Sequence, residues 1–238
     1  MLEKIKHQHH KVIYKALKQF NSDFLNQNKV LFGGGTRIAL ELNEYRESID
    51  IDFICPNKDS YRAVRSEVTN SSLGNLVLKD FIYRGGIRAD RDAVRTVIDI
   101  DNTLIKLEFV SFADYKLTQS TEHFFSVPYL DQKSCYINKL LANADRYTEY
   151  KDILDLIVMF HYWGEIPEES WSIAAQHYSY KVIFYGLEQA LSNKSNYLVK
   201  ASEYSVSQEI NDILMCELVP NFSKYVDEEK KKRLLLLE

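Results

Sequence analysis

Glycine and proline are scarce in this 238-residue chain, at 8 and 4 residues. So few breakers argue against a loop-dominated molecule and favour long regular elements joined by short connections, a helix-rich architecture. Cysteine is scarcer still. Cys55, Cys135 and Cys216 are far apart and odd in number, which spells neither a disulfide framework nor a zinc-knuckle spacing. Reduced thiols are the simple reading. Excess positive charge is also missing: the formal net charge of -4 excludes a general nucleic-acid coater, while a local basic patch stays open. No stretch approaches the roughly 18 apolar residues of a membrane span. The opening MLEKIKHQHHKVIYKALKQF lacks the continuous apolar core of a signal peptide. The ending LLLLE is too short to anchor anything, and its last two residues, Leu237-Glu238, are consistent with a cloning remnant. The expected location is the cytoplasm.

What is present is an ordinary soluble composition, 45% hydrophobic and 27% charged, with 16 Tyr and 12 Phe. The length suits one larger domain or two small ones. Ile5, Val12, Ile13, Ala16, Leu17 and Phe20 recur at helical spacing, so the first twenty residues read as an amphipathic helix. Lys29 to Phe32 reads as a short strand running into Gly33-Gly34-Gly35-Thr36, and Ile38, Leu42 and Tyr45 mark one face of a short helix. Ser48 to Ile54 alternates as a strand stopped by Cys55-Pro56-Asn57, and Ser60 to Val68 reads as helix. Leu76 to Val110 reads as strands broken at Gly85-Gly86 and at Asp101-Asn102.

From Gln132 the pattern turns helical almost throughout. Ile137, Leu140, Leu141 and Ala144 form one apolar stripe; Ile153, Leu154, Ile157, Val158 and His161 form a second. Trp171 to Leu191 and Ser207 to Leu218 give two more helices. The expected organisation is an α/β (α+β) core with a mixed sheet over residues 1–125, followed by a helical region over 126–238.

The tetrapeptide Ile-Asp-Ile-Asp occurs twice, at 49–52 and 98–101. Successive strand side chains point to opposite faces, so Asp50 and Asp52 share one face while Ile49, Ile51 and Phe53 take the other. Two carboxylates about 7 Å apart at the backbone can converge on divalent cations spaced about 3.5–4 Å. The same alternation also describes a plain half-buried strand. Context separates the copies. Upstream of Asp50 stand a strand, a Gly-Gly-Thr turn and a helix start, where free N–H groups and the helix dipole favour anions. The second copy has no such turn before it; Asp101-Asn102 reads as a hairpin turn, with Asp99 and Asp101 facing water.

Gly34-Gly35-Thr36 followed by Arg46-Glu47-Ser48-Ile49-Asp50-Ile51-Asp52-Phe53 resembles the first signature of the AbiEii/AbiGii-type nucleotidyltransferase toxins, MenT-like members of the DNA polymerase β-like superfamily. Lys139 in INKLLANADR and the segment Lys151-Asp152-Ile153-Leu154-Asp155-Leu156 are similar to its later motifs, with Lys151 where arginine is common. The resemblance runs from about Lys29 to Met159. It implies nucleotidyl transfer from an NTP to an acceptor hydroxyl, with Mg²⁺ (or Mn²⁺) held by Asp50 and Asp52. By the same resemblance, Gly34, Gly35 and Thr36 would seat phosphate, the acceptor would be a tRNA 3′ end, and an antitoxin protein would be a partner. Transfer to a small molecule or a protein, or plain nucleotide or RNA binding without catalysis, are the alternatives.

The remaining candidates carry two readings each. Glu108 is the choice for a third carboxylate, with Asp99 in reserve. Lys139, Asn143 and Arg146 fall at i, i+4 and i+7, opposite the first apolar stripe. Spacing alone makes that a wet helix face; the resemblance places Lys139, and less firmly Arg146, on the triphosphate. Asp152 and Asp155 complete the site or pair with Lys151. Ser48 would bond a phosphate, and Arg46 would bind nucleotide or only brace Asp50 or Asp52. Arg84, Arg88, Arg91 and Arg95 make either an RNA-contacting patch or a solvated loop of mixed sign. His7, His9 and His10, without acidic or cysteine neighbours, read as a wet helix face.

Overall fold

The computed structural model describes residues 5–112, 114–193 and 195–234, so Leu237-Glu238 lies outside them. Two compact units, Met1–Asp131 and Gln132–Glu238, divide the chain six residues beyond the expected boundary at 125. Residues 117–131 stay with the first unit through local ties: the Phe32 N–H donates to the Pro128 carbonyl, the Leu130 N–H donates to the Phe32 carbonyl, and the ring of Phe125 packs edge-on against Phe32.

The first unit contains α1 (Gln8–Leu17), α2 (Ser22–Gln27), β1 (Leu31–Gly33), α3 (Gly34–Glu41), β2 (Asp50–Cys55) and α4 (Lys58–Glu67). A 3-10 turn at Gly74–Leu76 leads to β3 (Ile82–Ala89), β4 (Ala93–Ile100) and β5 (Thr103–Ser111). The sheet is mixed, in the order β1-β2-β5-β4-β3. Only β2 and β5 run parallel; the other three pairs are antiparallel. β3, β4 and β5 form a meander whose second turn, Asp101-Asn102, has φ of 51° and 62°. Two consecutive left-handed residues are what a tight two-residue hairpin requires.

Alternation along β2 and β5 sends Ile51, Phe53, Leu107 and Phe109 to one face, where all four are fully buried. Phe53 and Phe109 stack with ring centres 5.0 Å apart, and Phe20 tilts over Phe53 at 4.7 Å. Ile13 and Leu17 of α1 and Val64 of α4 close this apolar layer. The opposite face carries Asp50, Asp52, Lys106 and Glu108. One expected break is absent. Gly85-Gly86 does not end a strand but lies inside β3, at φ of 80° and 77°, where four steps along β3 oppose two along β4. Glycine absorbs the bulge without steric penalty, and the ladder resumes at Arg88.

The second unit is helical among its described residues: α5 (Gln132–Asp145), α6 (Tyr150–Trp163), α7 (Glu168–His177), α8 (Tyr180–Ser192), α9 (Ser195–Glu203), α10 (Gln208–Ile213) and α11 (Val219–Leu234). The single helix expected over 171–191 is two, because Ser179 caps a fresh start by accepting the Val182 N–H. The one expected over 207–218 continues past Ile213 through a π-helical stretch, Leu214–Leu218, into α11. His161, assigned to an apolar stripe, is exposed instead. α5 packs against α6, α7 and α8. Gly186 permits the last of these approaches, since a Cβ there would sit 3.0 Å from the Asn143 carbonyl oxygen. Arg233 anchors α11 with a forked contact to Glu168 at 2.7 and 2.8 Å, its guanidinium lying over the Trp171 ring. No described helix is long and apolar enough to cross a membrane, and all three cysteines are free.

Candidate active site

β1 passes into α3 with no loop between them, and Gly34 makes the turn at φ +68°. A Cβ on Gly34 would lie 2.2 Å from Asp52 Oδ2 and 2.9 Å from Asp52 Cβ. Glycine is therefore required twice over, by the left-handed backbone and by the carboxylate pressed against it. The Gly-Gly-Thr turn and the aspartate pair are direct neighbours, with Gly33 in register opposite Asp52. Thr36, 1% exposed, sets its hydroxyl 2.5 Å from the Asp50 carbonyl oxygen and 2.8 Å from Ser48 Oγ. A carbonyl can only accept, so the Thr36 proton goes there and the Ser48 hydroxyl donates to Thr36. These two hydroxyls pin the first turn of α3 to the start of β2.

Asp50 and Asp52 lie on the face opposite the aromatic core. Across the parallel pair, Asp50 is in register with Lys106 and Asp52 with Glu108. Glu108 accepts from Arg95 Nε and from Lys106 Nζ, both at 2.8 Å. Burial acts to lower the Lys106 pKa, but the Glu108 hydrogen bond and the charges of Glu108, Asp50 and Asp52 outweigh it and raise the value. Lys106 is thus a cation within the field of the aspartate pair, where alternation along β5 left a choice between the Asp50 side and solvent. Hard carboxylate oxygens suit Mg²⁺ or Mn²⁺. Among the described residues no three acidic, histidine or cysteine side chains converge into a ready cage. A magnesium-type site needs only one or two carboxylates, with the ion's other positions going to substrate phosphates and water.

The second Ile-Asp-Ile-Asp copy sits elsewhere. Asp99 pairs in register with Ile82 and Leu104, and Arg84 covers its carboxylate through Nε at 3.0 Å and Nη2 at 2.5 Å. Its side chain is only 8% exposed, which corrects the expectation that it faces water; Asp101 does, and meets Lys15 at 3.0 Å. Glu108 is the carboxylate in register with Asp52. Three of the four arginines are paired as well: Arg84 with Asp99, Arg95 with Asp90 and Glu108, and Arg91 with Asp92. Mixed sign, not a basic patch, describes that region.

Just upstream, Arg46 is 4% exposed, lies over the Tyr45 ring, and donates from Nη1 to the Glu47 carbonyl. His10 overturns the wet-face reading of the histidines. It is fully buried, with Nδ1 2.8 Å from Glu44 Oε1 and Nε2 accepting the Ser48 N–H at 3.0 Å. His9 is a looser neighbour of Glu47 at 3.7 Å. Extending the α1 apolar stripe back from Leu17 and Ile13 lands on His10, the one signal in the sequence for its burial.

The later motif residues meet in the helical unit. Lys139, 4% exposed, places Nζ 2.8 Å from Asp152 Oδ1 and 2.6 Å from Asp155 Oδ2, and both aspartates are fully buried. Arg146 reaches Asp152 Oδ2 at 2.8 Å. The face of α5 bearing Lys139 and Asn143 is not wet: Asp152 and Asp155 of α6 lie on Lys139, and Gly186 of α8 lies against Asn143. Asp152 and Asp155 pair with Lys139 and Arg146, not with Lys151.

A mixed sheet with a Gly-Gly-Thr turn abutting a same-face aspartate pair, followed by a helical half, is the architecture of a nucleotidyltransferase fold. A sequence profile described as "Nucleotidyl transferase AbiEii toxin, Type IV TA system" matches residues 15–203. The chain belongs to that family. The match reaches beyond Met159 through α9, leaving α10 and α11 outside it. Among solved structures, JHP933 from Helicobacter pylori is similar at 17% identity and TM-score 0.54, covering 98% of this chain and 97% of that one. An H. pylori protein described as a candidate nucleotidyltransferase is similar at 17% identity and TM-score 0.55, over 96% of this chain and 98% of that one. At such identity the likeness is one of fold. No curated protein matches the chain.

Proposed function

We propose that the protein moves a nucleotidyl group from an NTP to an acceptor hydroxyl and releases pyrophosphate. The observation that carries this reading is the contact of the Gly34 turn with Asp52, which sets the start of a helix beside a pair of carboxylates. Asp50 and Asp52 would hold Mg²⁺ or Mn²⁺, and the ion would offset charge on the phosphates. The chain's own groups do the rest. N–H groups of Gly34, Gly35 and Thr36 at the start of α3 receive phosphate oxygens. Ser48 serves by fixing Thr36, and Arg46 by holding the segment before β2. The acceptor oxygen attacks the α-phosphorus, the bond to the β-phosphate oxygen breaks, and pyrophosphate leaves. Glu108, beside Asp52, takes the hydroxyl proton. Lys139, with Asp152, Asp155 and Arg146, enters the reading through its family motif alone; within the helical unit its ammonium is buried between the two aspartates.

The family's place in Type IV toxin–antitoxin systems supports a toxin whose partner is an antitoxin protein. Within this reading the acceptor is the 3′ end of tRNA and the location is the cytoplasm, where both substrates are found. The test is incubation with each α-labelled NTP and total cellular RNA, with and without EDTA. Metal-dependent label in RNA of tRNA size is expected. Label confined to protein or small molecules would move the acceptor to those classes, and no label anywhere would refute nucleotidyl transfer.

A further inference from the structure

Ser48 and Ile49 precede β2 and pair with no strand; the β2–β5 ladder begins at Asp50. A backbone N–H outside a ladder still needs an acceptor when covered. The Ser48 N–H finds His10 Nε2, a buried imidazole on α1, 38 residues away in sequence. A backbone amide can only donate, so Nε2 must be bare and Nδ1 must carry the proton. That proton points to Glu44 Oε1 at 2.8 Å. Glu44 is itself held: its carboxylate accepts the Lys6 N–H at 2.6 Å and the His7 N–H at 3.1 Å, and its backbone is left-handed at φ 55°. Burial works to raise the Glu44 pKa, but the Lys6, His7 and His10 donors overcome it and lower the value. Burial leads in pushing the His10 pKa down, which favours the neutral ring that the geometry needs.

We propose that His10 is a positioning residue for the candidate active site, a neutral imidazole of fixed tautomer that sets Ser48 and, through Ser48 and Thr36, the backbone of Asp50. The chain of contacts runs from Glu44 to His10, to the Ser48 N–H, from the Ser48 hydroxyl to Thr36, and from Thr36 to the Asp50 carbonyl. It holds the backbone of Asp50 from behind, in the manner of outer partners that orient ligands in metal sites. The inference rests on the nucleotidyl-transfer reading.

Two substitutions divide the ring's functions. In His10→Gln the longer side chain brings an amide oxygen near the Nε2 position and can still receive the Ser48 N–H. In His10→Asn the shorter amide can still donate toward Glu44 but leaves Ser48 unserved. Binding of Mn²⁺ is followed by electron paramagnetic resonance in the presence of ATP, GTP, CTP and UTP together, and folding stability by urea denaturation. The Gln variant should keep Mn²⁺ affinity within about threefold of wild type, while the Asn variant loses on the order of tenfold or more. Both should lose similar stability. Wild-type affinity in a folded His10→Asn protein, or equal affinity losses in both variants, overturns the proposal. Should the Asn variant not fold, imidazole ¹⁵N spectra of the wild-type protein decide: a bare Nε2 supports the assignment, and a proton on it overturns it. A wild-type protein that binds no Mn²⁺ with nucleotides sinks the nucleotidyl-transfer reading itself, a different failure from that of the variants alone.

Discussion

Lys139→Met separates two pictures of the helical unit. Were Lys139 on a solvated face, replacing it with an unbranched apolar side chain would change stability by no more than about 0.5 kcal/mol. Its surroundings give another answer. The ammonium is 4% exposed and sits 2.8 and 2.6 Å from carboxylates of Asp152 and Asp155, which are fully buried. Removing one partner from a buried ion cluster typically costs about 3–5 kcal/mol, because the charges left behind are no longer compensated. Arg146 still serves Asp152, though its side chain is half exposed, so the lower half of that range is the expectation. Urea denaturation followed by circular dichroism measures it. The double variant Lys139→Met with Asp155→Asn should recover part of the loss, since the two residues are in contact and their effects cannot add. A loss under about 1 kcal/mol with a strictly additive double variant would refute the argument. For function, the consequence is that Lys139→Arg, which keeps the charge, is the variant to assay for turnover. A planar fork replaces a compact ammonium poorly between two aspartates, so a partial loss is expected.

Asp50→Asn and Asp52→Asn should each abolish transfer with little change in the urea midpoint, whereas Asp99→Asn and Asp101→Asn should leave it largely intact; the reverse pattern in the label-transfer assay would reassign the site. Gly34→Ala should cost about 1–2 kcal/mol for its left-handed backbone and reduce activity far more than stability, because the new Cβ displaces Asp52; an active, stable variant would contradict the contact. Acid should destabilise the protein from about pH 6.5 downward. The His10 pKa is lowered from its ordinary 6.5, chiefly by burial, with Glu44 and Glu47 opposing and His7 assisting. Its contribution is therefore complete above 6.5 and falls as pH drops toward the folded value, where the unfolded chain alone binds the proton. Glu44, lowered from 4.5, adds a loss of the same sign at lower pH. Urea midpoints at pH 7.5 and 5.5 test this, and a His10→Gln variant with an undiminished slope over that interval would exclude His10 as the cause. Asn143 is buried, and neither atom of its carboxamide finds a partner among the described residues. Asn143→Ala should accordingly be close to neutral, and a loss above about 2 kcal/mol would show that the amide is satisfied after all.

The parts that local pattern could reveal were those whose physics is local. Alternation exposed β2 and the shared face of Asp50 and Asp52, and the Gly-Gly-Thr turn announced the start of α3. Glu108 needed a register as well as an alternation, since only the pairing of β2 with β5 sets it beside Asp52. Alternation set Lys106 toward the Asp50 side or solvent, and the same register puts it opposite Asp50. His10 was misjudged because its partner Glu44 lies 34 residues off and its other contact is a backbone amide, which carries no sequence signature. Lys139 was placed opposite an apolar stripe, and by spacing that was right. The error lay in equating that face with water, when α5 is packed against three other helices and has polar groups inside the unit.

The two Ile-Asp-Ile-Asp copies show why an identical string can carry different chemistry. Side-chain alternation gives two aspartates a common face only while the strand continues. In the first copy it does, since β2 runs on from Asp52 to Cys55. In the second, β4 ends at Ile100 and Asp101 enters the hairpin turn at φ 51°. That change of hand breaks the period-two rule, so Asp99 and Asp101 do not share the face their spacing suggests. Each then finds its own cation, Arg84 for one and Lys15 for the other. Local propensity is the same for both strings. What separates them is the neighbouring backbone: a glycine turn against Asp52 in one place, a tight hairpin at Asp101 in the other. An insertion that lengthened the β4–β5 turn would therefore not reproduce the surroundings of the first copy, because no Gly-Gly-Thr turn lies against it.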